Sequence, residues 1–480
     1  MALPLTTDAT KPRVSPAPPP RAGWRRLLPA HPGYYEGVLV QSSRQFASMA
    51  MCTALAIALG GGHIAVAVIA AIPFLGRMTH LVVPALVRRH GSWSVARASY
   101  WLERIGFLAA ASIAIARPGS STLPLFLGAL GVAFVGQALY DAAMAALHSE
   151  VAVTGEFGEY ISEKTRWAAI AGLTLGVAGS YAVDHVEHVG VPAHVSRALA
   201  IAAGVAIHCL LAKPFARMGD IARQHARRPS RQIAAVPGKR VLLPRTTEDW
   251  AVIHLALAWG FAYGIGARQT EAMAIRELGM TVGSLTLLNA ALVGAGIVGA
   301  RTWGRLGDRF GGKGLMALAM LAFALDPIWT LLAMFGHPAA FIPAYIIWGI
   351  FSTGWSIAQS LALVRTTGHP ADRIRLITMY NVAYGLAAGV APLLGGALLT
   401  FADGRLPTRS AFAVLFVVTI VLRLVTLPVL LRLPASECAS ARYVWAVYLR
   451  LVKQQTMRGT RAVGSAMRAP LRLFPGRQTN

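Results

Sequence analysis

Charge is what this sequence has least of. Charged residues make up 14% of its 480 positions, against about 25% in an average soluble domain. The acidic sign is the scarcer, with 20 Asp and Glu facing 45 Lys and Arg. A soluble chain of this length divides into domains that each present a charged surface, and too few charges are present to clothe them. Three cysteines, Cys52, Cys209 and Cys438, supply neither a disulfide framework nor a CxxC pair for metal or redox work. No Walker A loop, HExxH or GxSxG occurs, which argues against ATP-driven pumping and against a membrane enzyme. The sequence therefore predicts no catalytic residue, no metal and no cofactor.

Apolar residues are what it has in excess, at 55%. Disorder needs low hydrophobicity and is excluded. Collagen is excluded because the 47 glycines keep no three-residue period. A polytopic membrane protein remains. A spanning helix needs about 20 predominantly apolar residues. On that criterion twelve spans are expected near 38–60, 63–87, 96–116, 122–148, 165–184, 195–213, 250–270, 282–303, 314–335, 338–364, 375–401 and 409–432. The first is the weakest, because Arg44 and Gln45 interrupt it. Residues 1–36, with Pro12, Pro16 and Pro18 to Pro20, are read as a disordered cytoplasmic tail with no signal peptide. Residues 37–213 and 250–433 form two six-helix bundles, joined by a polar cytoplasmic loop over 214–249.

A formal net charge of +25 first suggests nucleic acid, and the position of the charges decides against it. With both termini on one side, 35 of the 45 basic residues fall on that side and six on the other. Arg44, Arg77, Arg104 and Arg423 lie inside expected spans. This bias is the positive-inside pattern. It predicts cytoplasmic termini, an even span count, a multi-pass protein of the inner (plasma) membrane and no nucleic-acid partner. Residues 434–480 carry much of the excess. Tyr443, Val444, Val447, Tyr448, Leu451 and Val452 recur at helical spacing among Arg442, Arg450, Lys453 and Arg458, as in an amphipathic helix on an anionic inner leaflet.

The most specific short pattern runs from Gly304 to Lys313 and reads GRLGDRFGGK. Gly304 is expected to let helix ends approach and Gly311 to permit a tight turn, while Asp308 suits a helix N-terminus and Arg309 the basic face. In the first half the same frame recurs 220 residues earlier, where Leu86, Arg89 and Gly91 match Leu306, Arg309 and Gly311, and Arg88 replaces the acid. Two six-span halves with one loop signature in one place indicate a duplication. On these residues the chain resembles the major facilitator superfamily, whose signature loop G-x-L-[GA]-D-R-x-G-[RK]-[RK] follows the second span of each half. The resemblance covers about residues 37–433. It implies twelve helices in two pseudo-symmetric bundles, transport by alternating access, and a gating role for Gly304, Asp308, Arg309, Gly311, Arg89 and Gly91. A looser match, the glycines and Pro392 from Gly385 to Gly396, is similar to an antiporter motif that the family carries in span five. Here span five has Gly172, Gly176 and Gly179 but lacks the proline.

Ionisable groups inside spans are functional candidates. Arg77 and His80 share a face of span two; Glu103 and Arg104 lie in span three, Asp141 in span four, and Asp326 before Pro327 in span nine. Arg77 or Arg104 is expected to neutralise Asp141, and Glu271 to pair with Arg268 at the outer end of span seven. Gln359, Tyr380 and Asn381 complete the set of polar residues suited to a cavity. Glu156, Glu159, Glu163, Lys164 and Arg166 read as a solvated loop, with Arg166 an exception that dips into the inner vestibule. The favoured function is proton-coupled efflux of an amphipathic compound by a monomer, with protons and a small molecule as partners. An uptake porter or uniporter for a small organic anion or sugar, and a non-transporting member handling lipid or assembly, are the alternatives.

Overall fold

The computed structural model describes residues 32–151, 157–210, 213, 215–220, 244–310, 312–365 and 370–433. Among the described residues there is helix and no strand. The first half comprises α1 (Pro32–Phe46), α2 (Met49–Ala58), α3 (His63–Gly76), α4 (Val83–His90), α5 (Ser92–Ala116), α6 (Leu123–Val151), α7 (Phe157–His188) and α8 (Ala193–Cys209). The second comprises α9 (Thr247–Gly264), α10 (Gln269–Glu277), α11 (Val282–Phe310), α12 (Gly312–Met334), α13 (Phe341–Arg365), α14 (Pro370–Asp403) and α15 (Thr408–Leu431).

Eight described stretches are long and apolar enough to cross a membrane, beginning at His63, Ser120, Thr247, Val282, Gly312, Pro338, Arg375 and Thr408. The other four expected spans are helical as well, and each falls short for a visible reason. The first is broken into α1 and α2. Helix α5 carries Arg97, Glu103 and Arg104, and α7 carries Lys164, Arg166, Asp184 and Glu187. Helix α8 has 17 residues. Apolar side chains stay exposed on the outer surface, among them Val298, Phe335, Phe401 and Val425, which suits a bilayer as solvent.

Three expected spans are interrupted. At the first break Ser48 takes an extended conformation and its hydroxyl accepts from Met51 N at 3.3 Å, starting α2 afresh. Helix α3 passes Pro73 and tightens into a 3₁₀ turn over Arg77–Leu81. Between α9 and α10, Arg268 adopts the left-handed conformation with φ 62°. The first and third of these breaks fall in corresponding spans of the two halves. Paired interruptions of that kind mark the binding region of duplicated transporters.

Several boundaries move. Helix α1 begins at Pro32, inside the expected tail, because proline's fixed φ suits a first helical turn. The seventh span runs on to Glu277, so Arg268 and Gln269 sit within it and not at its end. Residues 215–220 of the expected central loop are helical, and Phe215 packs on Trp93 and Tyr100 with ring centroids 4.4 and 4.9 Å away. The proline-rich stretch before residue 32 and the basic tail after 433 lie outside the described residues.

Polar contacts between the halves gather at the end opposite the termini. Ser180 Oγ and Thr286 Oγ1 are 2.8 Å apart, and Gly283 N donates to Asp184 Oδ2 at 2.9 Å. Arg276 donates to the Gly61 carbonyl and lies 3.3 Å from His63 Nδ1, whose ring also faces Asp403 at 3.7 Å. Apolar packing continues this seam between α3 and α14. A Cβ at Gly396 would stand 2.5 Å from the Ala67 side chain, and one at Gly385 would stand 2.9 Å from the Phe74 carbonyl. The glycines of the antiporter-like stretch therefore allow the two halves to approach.

Candidate functional site

A cavity of about 490 Å³ opens in the first half between α1, α6 and α7, with Val293 of α11 on its far wall. Its floor is a cluster of charges. Arg44 occupies the last turn of α1, where the negative end of the helix dipole favours a cation. The Arg44 guanidinium donates through Nε and Nη2 to Glu103 at 3.0 and 3.2 Å, and through Nη1 to Asp141 Oδ1 at 2.8 Å. Glu103 comes within reach because α5 and α6 run very close together. A Cβ at Gly136 of α6 would lie 2.5 Å from the Glu103 backbone nitrogen. Glu103 is 1% exposed at its side chain and Asp141 51%, so one carboxylate is sealed and its partner meets the cavity. Counted formally, these three groups carry one positive and two negative charges, a surplus of one negative within the cluster, with the buried Arg104 next in sequence to Glu103.

A second cluster lies about two turns away, toward the start of α1. Tyr140 Oη donates to Glu36 Oε1 at 2.9 Å, and Lys164 Nζ approaches Glu36 Oε2 at 2.7 Å. His148 Nε2 stands 3.4 Å from the same carboxylate. Tyr140 links the two clusters, since Arg44 sits 5.6 Å above its ring. Lys164, expected on a solvated loop, is thus a wall of the cavity. Arg44 was expected as an interruption of its span and as one of four arginines inside spans, and Glu36 fell within the expected tail. A cation one turn before a helix-starting serine was the available signal for Arg44. No linear spacing relates Glu36, His148 and Lys164.

Asp141 is neutralised by Arg44, and not by Arg77 or Arg104 as expected from their spans. Arg104 turns away from Glu103, as adjacent helical residues do. It donates to the backbone carbonyls of Tyr100 and His208, tying α5 to α8. Arg77 starts the 3₁₀ turn and lies over the rings of Phe74 and Tyr384, at 5.8 and 5.2 Å.

In the second half Asp326 pairs with Arg423 at 3.6 Å. Pro327 has no N–H to give, and the helix turn before it leaves the Phe323 carbonyl free. Arg423 Nη1 donates to that carbonyl and lies 5.3 Å from the Trp348 ring. Around them Phe323 and Trp348 are 4.6 Å apart, and Tyr263 touches Trp348, Tyr384 and, from the other half, Phe74. Tyr380 stacks on Tyr384 at 6.0 Å, and its buried hydroxyl has no hydrogen-bond partner among the described residues. Asn381 and Gln359 are half-buried. Arg268 and Glu271 form an i,i+3 ion pair at 2.6 Å. Arg375 reaches Asp249 at 2.8 Å, and Asp249 completes a capping box with Thr246 at the start of α9.

The loop pattern resolves differently from expectation. A Cβ on Gly304 would meet open space. The tight approaches fall on Gly307, 2.3 Å from Leu361 Cδ1, and on Gly312, 2.3 Å from the Ala358 carbonyl. Gly311 and the side chains of Asp308 and Arg309 lie outside the described residues. Lys313 is half-buried; its Nζ donates to the Leu431 and Leu433 carbonyls at 2.8 and 2.6 Å and caps α15. In the first half Gly91 ends α4 at φ 79°, a conformation that glycine adopts without strain, and Arg89 is exposed.

Similarity to known proteins follows the same architecture. The Major Facilitator Superfamily profile matches residues 270–440. The nucleoside transporter NupG superposes with a TM-score of 0.62 at 10% identity, over 83% of this chain and 98% of that one. The chain shares its fold with that transporter. A bacterial homologue of the iron transporter ferroportin, solved in an inward-facing state, gives 0.60 at 15% identity over 86% and 99% of the two chains. The peptide transporter POT in complex with sulfate gives 0.59 at 15% identity over 86% and 96%. No curated protein matches the sequence. At these identities the likeness is one of fold, which, together with eight described stretches long and apolar enough to cross a membrane, indicates an integral, multi-pass membrane protein.

Proposed function

We propose that the protein is a secondary transporter that uses the proton gradient to export an amphipathic small molecule. The observation that carries this reading is the placement of the Arg44–Glu103–Asp141 cluster on a cavity, while the polar contacts between the halves gather at the opposite end of the bundle. A rocking motion about such a seam gives alternating access. The charge bias assigns the termini to the cytoplasm, so the cavity belongs to the inward side and the seam to the outward side. Protonation of Asp141 cancels the surplus negative charge of the cluster. The proton thereby becomes a condition for moving the cavity through the bilayer, where an uncompensated charge is costly. Val40, Met144, Leu173 and Val293 line the cavity beside its charges, which supports an amphipathic cargo, and the glycine-rich seam of α14 supports export over uptake.

The test is accumulation in proteoliposomes of two amphipathic probes, ethidium and 2-naphthoate, with and without an imposed pH difference. Wild-type protein is expected to concentrate at least one probe only while the pH difference lasts. Asp141→Asn is expected to equilibrate the same probe without concentrating it. Concentration that survives a protonophore, or that Asp141→Asn retains, contradicts proton coupling.

A further inference from the structure

Arg77 is the one of the four span arginines that pairs with no carboxylate and donates to no backbone carbonyl among the described residues. Arg44 has Glu103 and Asp141, and Arg423 has Asp326. Arg104 spends its guanidinium on two backbone carbonyls. Arg77 instead lies over ring faces, those of Phe74 and Tyr384, and donates to no acceptor among the described residues. Stacked rings occupy the faces of a guanidinium and leave its in-plane N–H fork open. That fork matches a carboxylate or a similar planar oxyanion in two parallel bonds.

The surroundings also point to a ligand. Tyr380 lies within electrostatic reach of Arg77, and its hydroxyl, on a residue 2% exposed, has no hydrogen-bond partner among the described residues. A buried O–H without an acceptor is costly, and an oxyanion held by Arg77 would satisfy it. His80, one 3₁₀ turn on, lies within reach of both Arg77 and Asp141, which sets Arg77 on the side of the charged cluster. Phe74 comes from the first half, while Tyr263, Tyr380 and Tyr384 come from the second. A ligand gripped here touches both halves, as the cargo of a rocking transporter must.

We propose that Arg77, Phe74, Tyr380 and Tyr384 bind the anionic end of an aromatic organic acid, with its ring among the tyrosines and its oxyanion on the Arg77 fork. This rests on the transporter reading and narrows its amphipathic cargo to aromatic anions.

Binding to the purified protein is measured separately from flux, by thermal shift and tryptophan quenching, with 2-naphthoate, 2-naphthamide and cyclohexanecarboxylate. Wild type is expected to bind 2-naphthoate at least tenfold more tightly than the neutral amide or the non-aromatic acid. Arg77→Gln is expected to bind naphthoate and naphthamide alike, and Arg77→Lys to keep part of the preference for charge. Tyr384→Leu is expected to lose the preference for the aromatic acid and keep that for charge. Arg77 balances no carboxylate, so these variants should remain monodisperse, which size exclusion checks. Equal wild-type binding of naphthoate and naphthamide overturns the proposal, as does undiminished naphthoate binding by Arg77→Gln or no binding of any probe. If ethidium is still driven by the pH difference in those cases, the transporter reading survives alone. If wild type drives no probe, that reading fails whatever Arg77 binds.

Discussion

Replacing Arg44 with methionine is expected to leave the folded protein about 3–5 kcal/mol less stable, the usual cost of breaking a buried ion pair by removing one partner. The reason lies in the asymmetry of the cluster. Asp141 can turn to water in the cavity, whereas the Glu103 side chain is 1% exposed and takes two hydrogen bonds from the lost guanidinium. Glu103 must then protonate or open the tight α5–α6 contact. A melting curve in detergent should show a drop of many degrees. Arg44→Met combined with Glu103→Gln should recover most of it, because the neutral amide no longer needs a counter-charge. The double variant should nonetheless fail to concentrate any probe against its gradient. Recovery of stability without recovery of coupling separates the structural work of Arg44 from its part in transport.

Arg423→Met is expected to act with similar size in the other half. This residue answers two needs at once, the Asp326 carboxylate and the Phe323 carbonyl that Pro327 leaves without a donor. Removing it orphans a charge and a backbone acceptor, for a loss of about 3–5 kcal/mol. Asp326→Asn alone should cost much less, since Arg423 keeps the carbonyl and the Trp348 face. Pro327→Ala restores the helix's own hydrogen bond and should soften the Arg423→Met defect, which thermal melts of the single and double variants would show. Equal losses in Arg423→Met with and without Pro327→Ala would mean that the freed carbonyl plays no part.

Much of the architecture is legible in the sequence because a bilayer imposes a long apolar run at each crossing and a charge bias on its flanks. The repeat of the loop frame in both halves, at Arg89–Gly91 and Arg309–Gly311, then points to the fold. The i,i+3 pair of Arg268 with Glu271 was legible, but the long-range pairing of charges was not. Arg44 reaches Glu103 and Asp141 across 59 and 97 positions of sequence, and only the break at Ser48 brings the end of α1 to that depth. Lys164 looked solvated because its neighbours Glu159 and Glu163 are acidic, yet helical phase turns it toward Glu36. The partner of Asp326 was hidden for the same reason, with Arg423 three helices away. Local chemistry did better: the proline at 327 signalled a freed carbonyl, and the structure supplies the arginine that takes it.

The central claim is that the seam opposite the termini must open for transport, and a reversible lock on that seam tests it most directly. Ser180→Cys with Thr286→Cys places two thiols where hydroxyl oxygens now stand 2.8 Å apart, in a background where Cys52, Cys209 and Cys438 are replaced by alanine. The reduced protein is expected to concentrate its probe. Oxidation should stop transport while leaving binding from the termini side intact, and reduction should restore it. A fully cross-linked protein that transports at the reduced rate would contradict alternating access about this seam.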